Sequence, residues 1–254
     1  SLHEAEIDAI TSNKDEATFE NTILAYDDAG QMLAQTELVF GMLCAAETND
    51  RMQALQEQAM PLLAAHRDKI RLDDKLFVRV KEVYDRRAAL GLDAEQMRLL
   101  QKTYDSFVRA GALLDAEQKA RLKEINGQLS LTAVKFGNNI LAENNNFVLE
   151  LKSDELDGLP AGIRDAAREK AQQMGKGDKW VFTLHKPSLI PLLTYSTRRD
   201  LREKIYKAYL NRCNNGDEYD NKQLINDFIR LRTEKAHLLG YPSYAAYVVA
   251  DEMA

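Results

Sequence analysis

Between Asp115 and Leu141 the apolar residues Leu122, Ile125, Leu129, Phe136 and Ile140 recur at intervals of three, four and seven, with Val134 and Leu141 beside them. That spacing draws one continuous stripe down a helix of 3.6 residues per turn and does not fit the two-residue alternation of a strand. An apolar stripe of this length needs partners on several sides. The segment is therefore expected to be the central core helix of a chain made mostly of helices.

The flanking sequence supplies start and stop signals for those partners. Asp93-Ala94-Glu95-Gln96 and Asp115-Ala116-Glu117-Gln118 carry the same four residues. In each, the Asp can accept an orphan amide of the first turn while the Gln three positions on reaches back, a variant of the capping box. The residues that follow do not match each other, so this is repeated cap chemistry and not a repeat architecture. Upstream, a short helical lead-in and the loop Thr11-Ser12-Asn13 precede a long helix expected from Thr18, its N-cap. Phe19, Ile23, Tyr26, Leu33 and Phe40 fall at helical spacing down one side of it. Thr48-Asn49-Asp50 ends that helix and can cap the next, which holds Met52, Leu55, Met60, Leu63 and Ile70 and should kink at Pro61. A shorter helix over Leu76–Leu90 stops at Gly91.

After Asn144-Asn145-Asn146 the period changes. Phe147-Val148-Leu149-Glu150-Leu151 and Trp180-Val181-Phe182-Thr183-Leu184 read as two strands, parallel or antiparallel. Between them lies a short helix with Pro160 in its first turn that runs from Ile163 through Met174 and ends at Gly175. Two strands cannot stand alone and must lie on helices. Three further helical patterns follow. The fold class is thus mostly α, a multi-helix lobe with a small two-stranded β element. Its expected parts are a helical bundle over 1–143, a β-α-β insertion over 144–185, and helices over 186–254.

The 254 residues carry a net charge of −6, with 45% hydrophobic and 29% charged residues and only 12 Gly and 5 Pro. An acidic chain of this kind is not expected to partner nucleic acid. The locally basic helix with Arg198, Arg199, Arg202, Lys204, Lys207 and Arg212 is interrupted by Asp200 and Glu203, which fits a solvated face with internal ion pairs better than a phosphate-tracking surface. Cys44 and Cys213 form neither a disulfide framework nor a thiolate metal knuckle. No apolar run is long enough to span a bilayer, so no membrane partner is expected. The expected location is cytoplasmic; because the chain opens on Ser1 and not on Met, a removed signal and a periplasmic location stay open.

Motifs that could carry chemistry fail one at a time. His3-Glu4-Ala5-Glu6-Ile7 begins like the zinc-binding H-E-x-x-H helix, but Ile7 stands where the second imidazole belongs. The turn from Asn211 places Gly216 at the sixth position of an EF-hand-like loop. Its third position is Cys213 and its twelfth is Lys222, where calcium requires oxygens. His66, His185 and His237 have no triad or ligand spacing and are assigned structural or surface roles, His237 at a helix C-terminus before Gly240. No P-loop, G-x-G-x-x-G or G-x-S-x-G is present. The expected site content of the chain is accordingly no catalytic, no cofactor-binding and no metal-ligating residue.

Several runs nevertheless resemble one family. They are Trp180-Val181-Phe182-Thr183-Leu184, Leu193-Thr194-Tyr195, Arg199 through Tyr209, Tyr219-Asp220-Asn221 and Leu238-Leu239-Gly240-Tyr241-Pro242-Ser243-Tyr244-Ala245. Upstream, Thr18-Phe19-Glu20-Asn21-Thr22-Ile23, Leu63-Ala64-Ala65-His66-Arg67-Asp68 and Phe136-Gly137-Asn138-Asn139-Ile140-Leu141-Ala142 extend the likeness. In order and spacing the chain resembles the thimet-oligopeptidase family of zinc metallopeptidases, on the side of its bacterial peptidyl-dipeptidase branch.

The resemblance implies a parent enzyme with one zinc that releases dipeptides from the C-terminus of short peptides. In the family the zinc is held by H-E-x-x-H and a downstream Glu in the C-terminal half, and none of these residues occurs here. The expectation is therefore an N-terminal substrate-channel lobe, inactive by itself, whose helices over 186–254 lead toward a missing catalytic half. Its partners would be that half and short peptide substrates, with no cofactor in this chain and zinc in the parent. The alternative is a free-standing helical module that binds a peptide or protein. If the chain is a lobe cut from its partner, an apolar surface is expected near the C-terminal helix, where Tyr244, Tyr247 and Val248 share a face.

Overall fold

A computed structural model describes residues 1–252 of the chain. In chain order its elements are α1 (Leu2–Ser12), a π-helical turn (Phe19–Leu24), α2 (Ala25–Asp28), α3 (Gln31–Ala46), α4 (Asp50–Arg71), α5 (Asp74–Asp85), α6 (Ala94–Ala110) and α7 (Ala116–Asn146). These are followed by β1 (Leu149–Leu151), α8 (Ala161–Gln173), β2 (Trp180–Phe182), α9 (Lys186–Tyr195), α10 (Arg199–Leu210), α11 (Lys222–Leu238) and α12 (Tyr244–Val249). The chain is mostly α with a small two-stranded sheet.

The chain divides into two compact units. One comprises Ser1–Val134 with the residues from Phe228 on, the other Lys135–Asp227. The first unit is organised around Phe107, whose ring lies 5.2 Å from that of Tyr26 and 6.1 Å from that of Phe77. α5 buries Leu76, Phe77, Val80 and Val83, and α6 buries Leu100, Thr103 and Phe107. Ile7 and Ile10 of α1, Phe19 and Ile23 of the π turn and Ile70 of α4 complete this core. The Arg79 guanidinium donates to the carbonyls of Asn13 and Asp15 (3.0 and 3.1 Å) and to Asn21 Oδ1 (3.0 Å). One buried cation thus satisfies the loop carbonyls between α1 and the π turn, which helices cannot do for them.

The caps are those the sequence expects. Asp93 Oδ1 accepts from Gln96 N (2.8 Å) while Gln96 Oε1 accepts from Asp93 N (3.1 Å). Asp115 and Gln118 repeat the exchange at 2.8 and 3.2 Å. Thr18 is an N-cap as well, accepting from Asn21 N at 3.1 Å. The helix it opens, however, is not the long one the periodicity predicts. It runs as the π turn and α2, and breaks at Gly30, which adopts the left-handed conformation (φ 78°). The cause is tertiary. Gly30 N donates to Glu6 Oε2 (2.8 Å), and the His3 ring packs so close that a Cβ on residue 30 would stand 2.6 Å from it. Only glycine accepts both conditions.

α3 therefore starts afresh at Gln31, and no residue of it is buried. Leu33 and Phe40, expected in the core, are only half-buried. α4 continues through Pro61 from Asp50 to Arg71. α7 buries Leu122 and Ile125 of the expected stripe, with Thr132 and Val134 further on, whereas Leu129, Phe136 and Ile140 are half-buried.

In the second unit β1 and β2 pair antiparallel, Leu149 opposite Phe182 and Leu151 opposite Trp180. Leu149, Leu151 and Phe182 point into a core shared with Leu184, Leu189, Leu192, Leu201 and Ile205. Glu150, on the other face of β1, takes the Lys176 ammonium. Pro160 forms the N-cap of α8, and Gly175 closes it in the left-handed conformation (φ 68°) with Lys176 N bonded to Ala171 O at 2.8 Å.

Candidate functional site

The most distinctive polar arrangement in the first unit joins residues 63 apart in sequence. His3, in the first turn of α1, and His66 of α4 face each other with Nδ1 and Nε2 3.1 Å apart and their rings edge to face. A shallow groove flanks the pair and is also lined by Tyr26, Gly30, Leu33, Glu37 and Arg67. Around it, Lys69 Nζ donates to Glu4 Oε1 (2.6 Å) and holds that carboxyl down to about 2. Arg67 pairs with Glu37 of α3 at 2.8 Å. Burial, then the facing His66, push His3 below its ordinary value of 6.5, against the opposing pull of Glu6, Glu37 and Glu4.

Because the folded state lowers the His3 pKa, the unfolded chain takes up the proton first as pH falls through 6.5. The contact's contribution is full above that value and is lost below it. Thermal melts at pH 7.5 and 5.5 are expected to show a larger acid-induced loss of Tm in the wild type than in His3→Asn. Equal losses would remove the imidazole pair as the cause.

Two imidazole nitrogens at that separation lack a third donor. Among the described residues no group of three or more His, Cys, Asp and Glu side chains could hold a metal ion.

A second cluster sits deeper in the same unit. Lys235 of α11 donates to Asn126 Oδ1 (2.7 Å), and Asn126 Nδ2 donates to Asp68 Oδ1 (2.8 Å). Burial lowers the Lys235 pKa and raises that of Asp68. Perturbed groups of this sort mark active sites when they face a cleft, but here their bonds run to one another and tie α4, α7 and α11 together. Arg109 of α6 anchors α12 in the same way, donating to Tyr247 O at 2.7 Å and lying 4.7 Å over the Tyr247 ring. Tyr241 and Tyr244 pack against Tyr247 at 5.3 and 5.8 Å. The tyrosines expected on an exposed face are thus half-buried, and Val248 and Val249 are the exposed apolar residues of α12.

The remaining sequence candidates resolve into caps and turns. His237 Nε2 lies 3.3 Å from Pro242 O, and Gly240 (φ 82°) closes α11 with Tyr241 N bonded to Ala236 O. His185 caps α9 and contacts Asn145 at 3.0 Å. In the Asn211–Asn221 turn, Cys213 is left-handed (φ 56°) and its amide donates to Glu143, which also accepts from Asn215. Buried Asn221 accepts from Asn139 (2.8 Å) and donates to Phe136 O (3.2 Å). Burial, then Glu143, push the Cys213 thiol up to about 11, so it stays protonated. In the basic helix Arg198 forks onto Asp200 (3.0 and 2.8 Å) and Lys207 pairs with Glu203, the ion pairs expected there. No helix among the described residues is long and apolar enough to cross a membrane.

These arrangements provide positioning and stability, and none of them sets a nucleophile beside a base and an oxyanion donor. The His3–His66 contact and the Lys235 cluster went unseen in the sequence, because single polar residues on helices look the same whether they meet a partner or water.

Comparison with known proteins supplies what the polar arrangements alone do not. Residues 192–254 match the profile of Peptidase family M3. The chain is 37% identical over 251 residues to the dipeptidyl carboxypeptidase of Escherichia coli K12, covering 98% of this chain and 37% of that protein. It is 35% identical over 250 residues to the dipeptidyl carboxypeptidase of Salmonella typhimurium LT2, with the same coverage. It is 27% identical over 243 residues to oligopeptidase A of Haemophilus influenzae Rd, covering 93% of this chain and 35% of that protein. The match to the family profile covers residues 192–254, while the similarity to the two dipeptidyl carboxypeptidases runs along nearly all of the chain. It spans little more than a third of the length of these relatives.

Proposed function

We propose that the chain is the substrate-channel lobe of a zinc peptidyl-dipeptidase, an enzyme that releases dipeptides from the C-terminus of short peptides. The observation that carries this reading is the end-to-end similarity to dipeptidyl carboxypeptidases of which the chain covers only 37%. The lobe's partners would be the catalytic portion and the peptide. What this chain would contribute is a rigid wall that excludes folded proteins and holds an extended peptide in line. Such positioning lowers a barrier without any reactive group on the wall.

The test has two arms. The purified 254-residue chain is expected to show neither stoichiometric zinc by elemental analysis nor dipeptide release from short peptides. The protein at the full length of its relatives is expected to show both. Stoichiometric zinc or turnover by the shorter chain would sink the proposal. A free-standing peptide-binding module is also compatible with absent chemistry, but it leaves the similarity along 98% of the chain without a reason.

A further inference from the structure

α3 is an anomaly for a surface helix. Its 16 residues carry one charge, Glu37, which is already paired with Arg67, and none of the 16 is buried. Met32, Val39, Met42 and Leu43 recur at helical spacing on one side, with Leu38 nearby, and Met32 and Met42 are 66% and 63% exposed. On the adjoining α4, Leu62 is 71% exposed. A helix apolar on nearly every side belongs in an interior, and an exposed apolar patch of this kind marks a contact site.

We infer that the α3 stripe is the docking face for the catalytic portion of the parent peptidase, an inference that rests on the channel-lobe reading above. Two observations favour this occupant. The relatives that match 98% of the chain are nearly three times its length, so on the channel-lobe reading most of the polypeptide is available to cover the face, which runs about 16 Å from Met32 to Leu43. Charge depletion at the centre of a patch is, in addition, the compositional mark of a protein interface.

The test is site-specific thiol labelling of Met42→Cys in a Cys44→Ser background, read by mass spectrometry of the α3 peptide. The 254-residue chain is expected to label readily, and the protein at the full length of its relatives is expected to lose labelling at this position. Equal labelling of the two overturns the inference. Protection that appears only when short peptides are added overturns it in favour of a peptide wall. Protection in the 254-residue chain that rises with its concentration overturns it in favour of a second copy. Dipeptide release is measured on the same full-length protein. Protection without release fails the enzymatic reading and leaves the docking face standing, while release without protection does the reverse.

Discussion

Gly158→Ala is expected to be among the most damaging small substitutions in the chain. Gly158 has φ 80°, and a Cβ there would stand 2.3 Å from the carbonyl oxygen of Tyr195 and 2.9 to 3.0 Å from Thr197. The left-handed conformation alone costs a non-glycine residue about 1–2 kcal/mol. The collision is with backbone and not with a side chain that could swing away. The Asp157–Thr197 contact beside it, where Thr197 N donates to Asp157 O at 3.2 Å, would have to give. We expect a total of about 3 kcal/mol, at the upper end for one strained residue, or roughly 6–12 °C in Tm for a protein of this size. Gly175→Ala is the control. Its φ is 68°, but nothing lies within 4 Å of the added methyl. It should cost only the conformational share. Thermal melts of the two variants separate the contributions, and equal losses would show that the close approach to Tyr195 carries no weight.

Phe107→Ala should be at least as severe, in the other unit. The ring is fully buried between Tyr26 and Phe77, and removing it leaves a cavity that helices fixed by their own caps can only partly close. Large-to-small changes of this type cost about 3–5 kcal/mol, a large share of the roughly 5–15 kcal/mol that holds a typical protein folded. Urea unfolding is expected to show the midpoint falling with the slope unchanged. Phe107→Leu should recover most of the loss, since it refills most of the volume. An unaffected midpoint in Phe107→Ala would mean that the aromatic cluster is not the centre of its unit.

What could be read in the sequence was what is local to it. The Asp93–Gln96 and Asp115–Gln118 exchanges span three residues, and both form as their spacing predicts. The two strands and α8 were legible because alternation, Pro160 and Gly175 are short-range signals. The strand direction was not, since only the packing of residues brought from both sides of α8 decides it. The predicted helix from Thr18 failed at Gly30 because the residues that force the break, His3 and Glu6, lie more than twenty positions upstream. The same limit applied to the candidate site. His3 meets His66 across 63 positions, and Lys235 reaches Asn126 across 109. Apolar spacing placed α3 in the core because periodicity reports that a face wants cover, not which polypeptide supplies it.

The division of the chain has a consequence for its synthesis. Lys135–Asp227 is one continuous run, so that unit has every residue it needs once position 227 has left the ribosome. The other unit is split. Its first 134 residues are made early, yet Glu234, which forks onto Arg121 (2.6 and 2.9 Å), Lys235, and the α12 residues held by Arg109 are made only after the intervening unit. Domains fold as they emerge. The N-terminal helices must therefore wait through 93 residues of translation, as counted from Lys135 to Asp227, with Arg121 lacking Glu234, Asn126 lacking Lys235 and Arg109 lacking α12. The segment made first is the segment finished last, and a nascent chain arrested just after position 227 has emerged from the ribosome should be protease-resistant in 135–227 before it is so in 1–134.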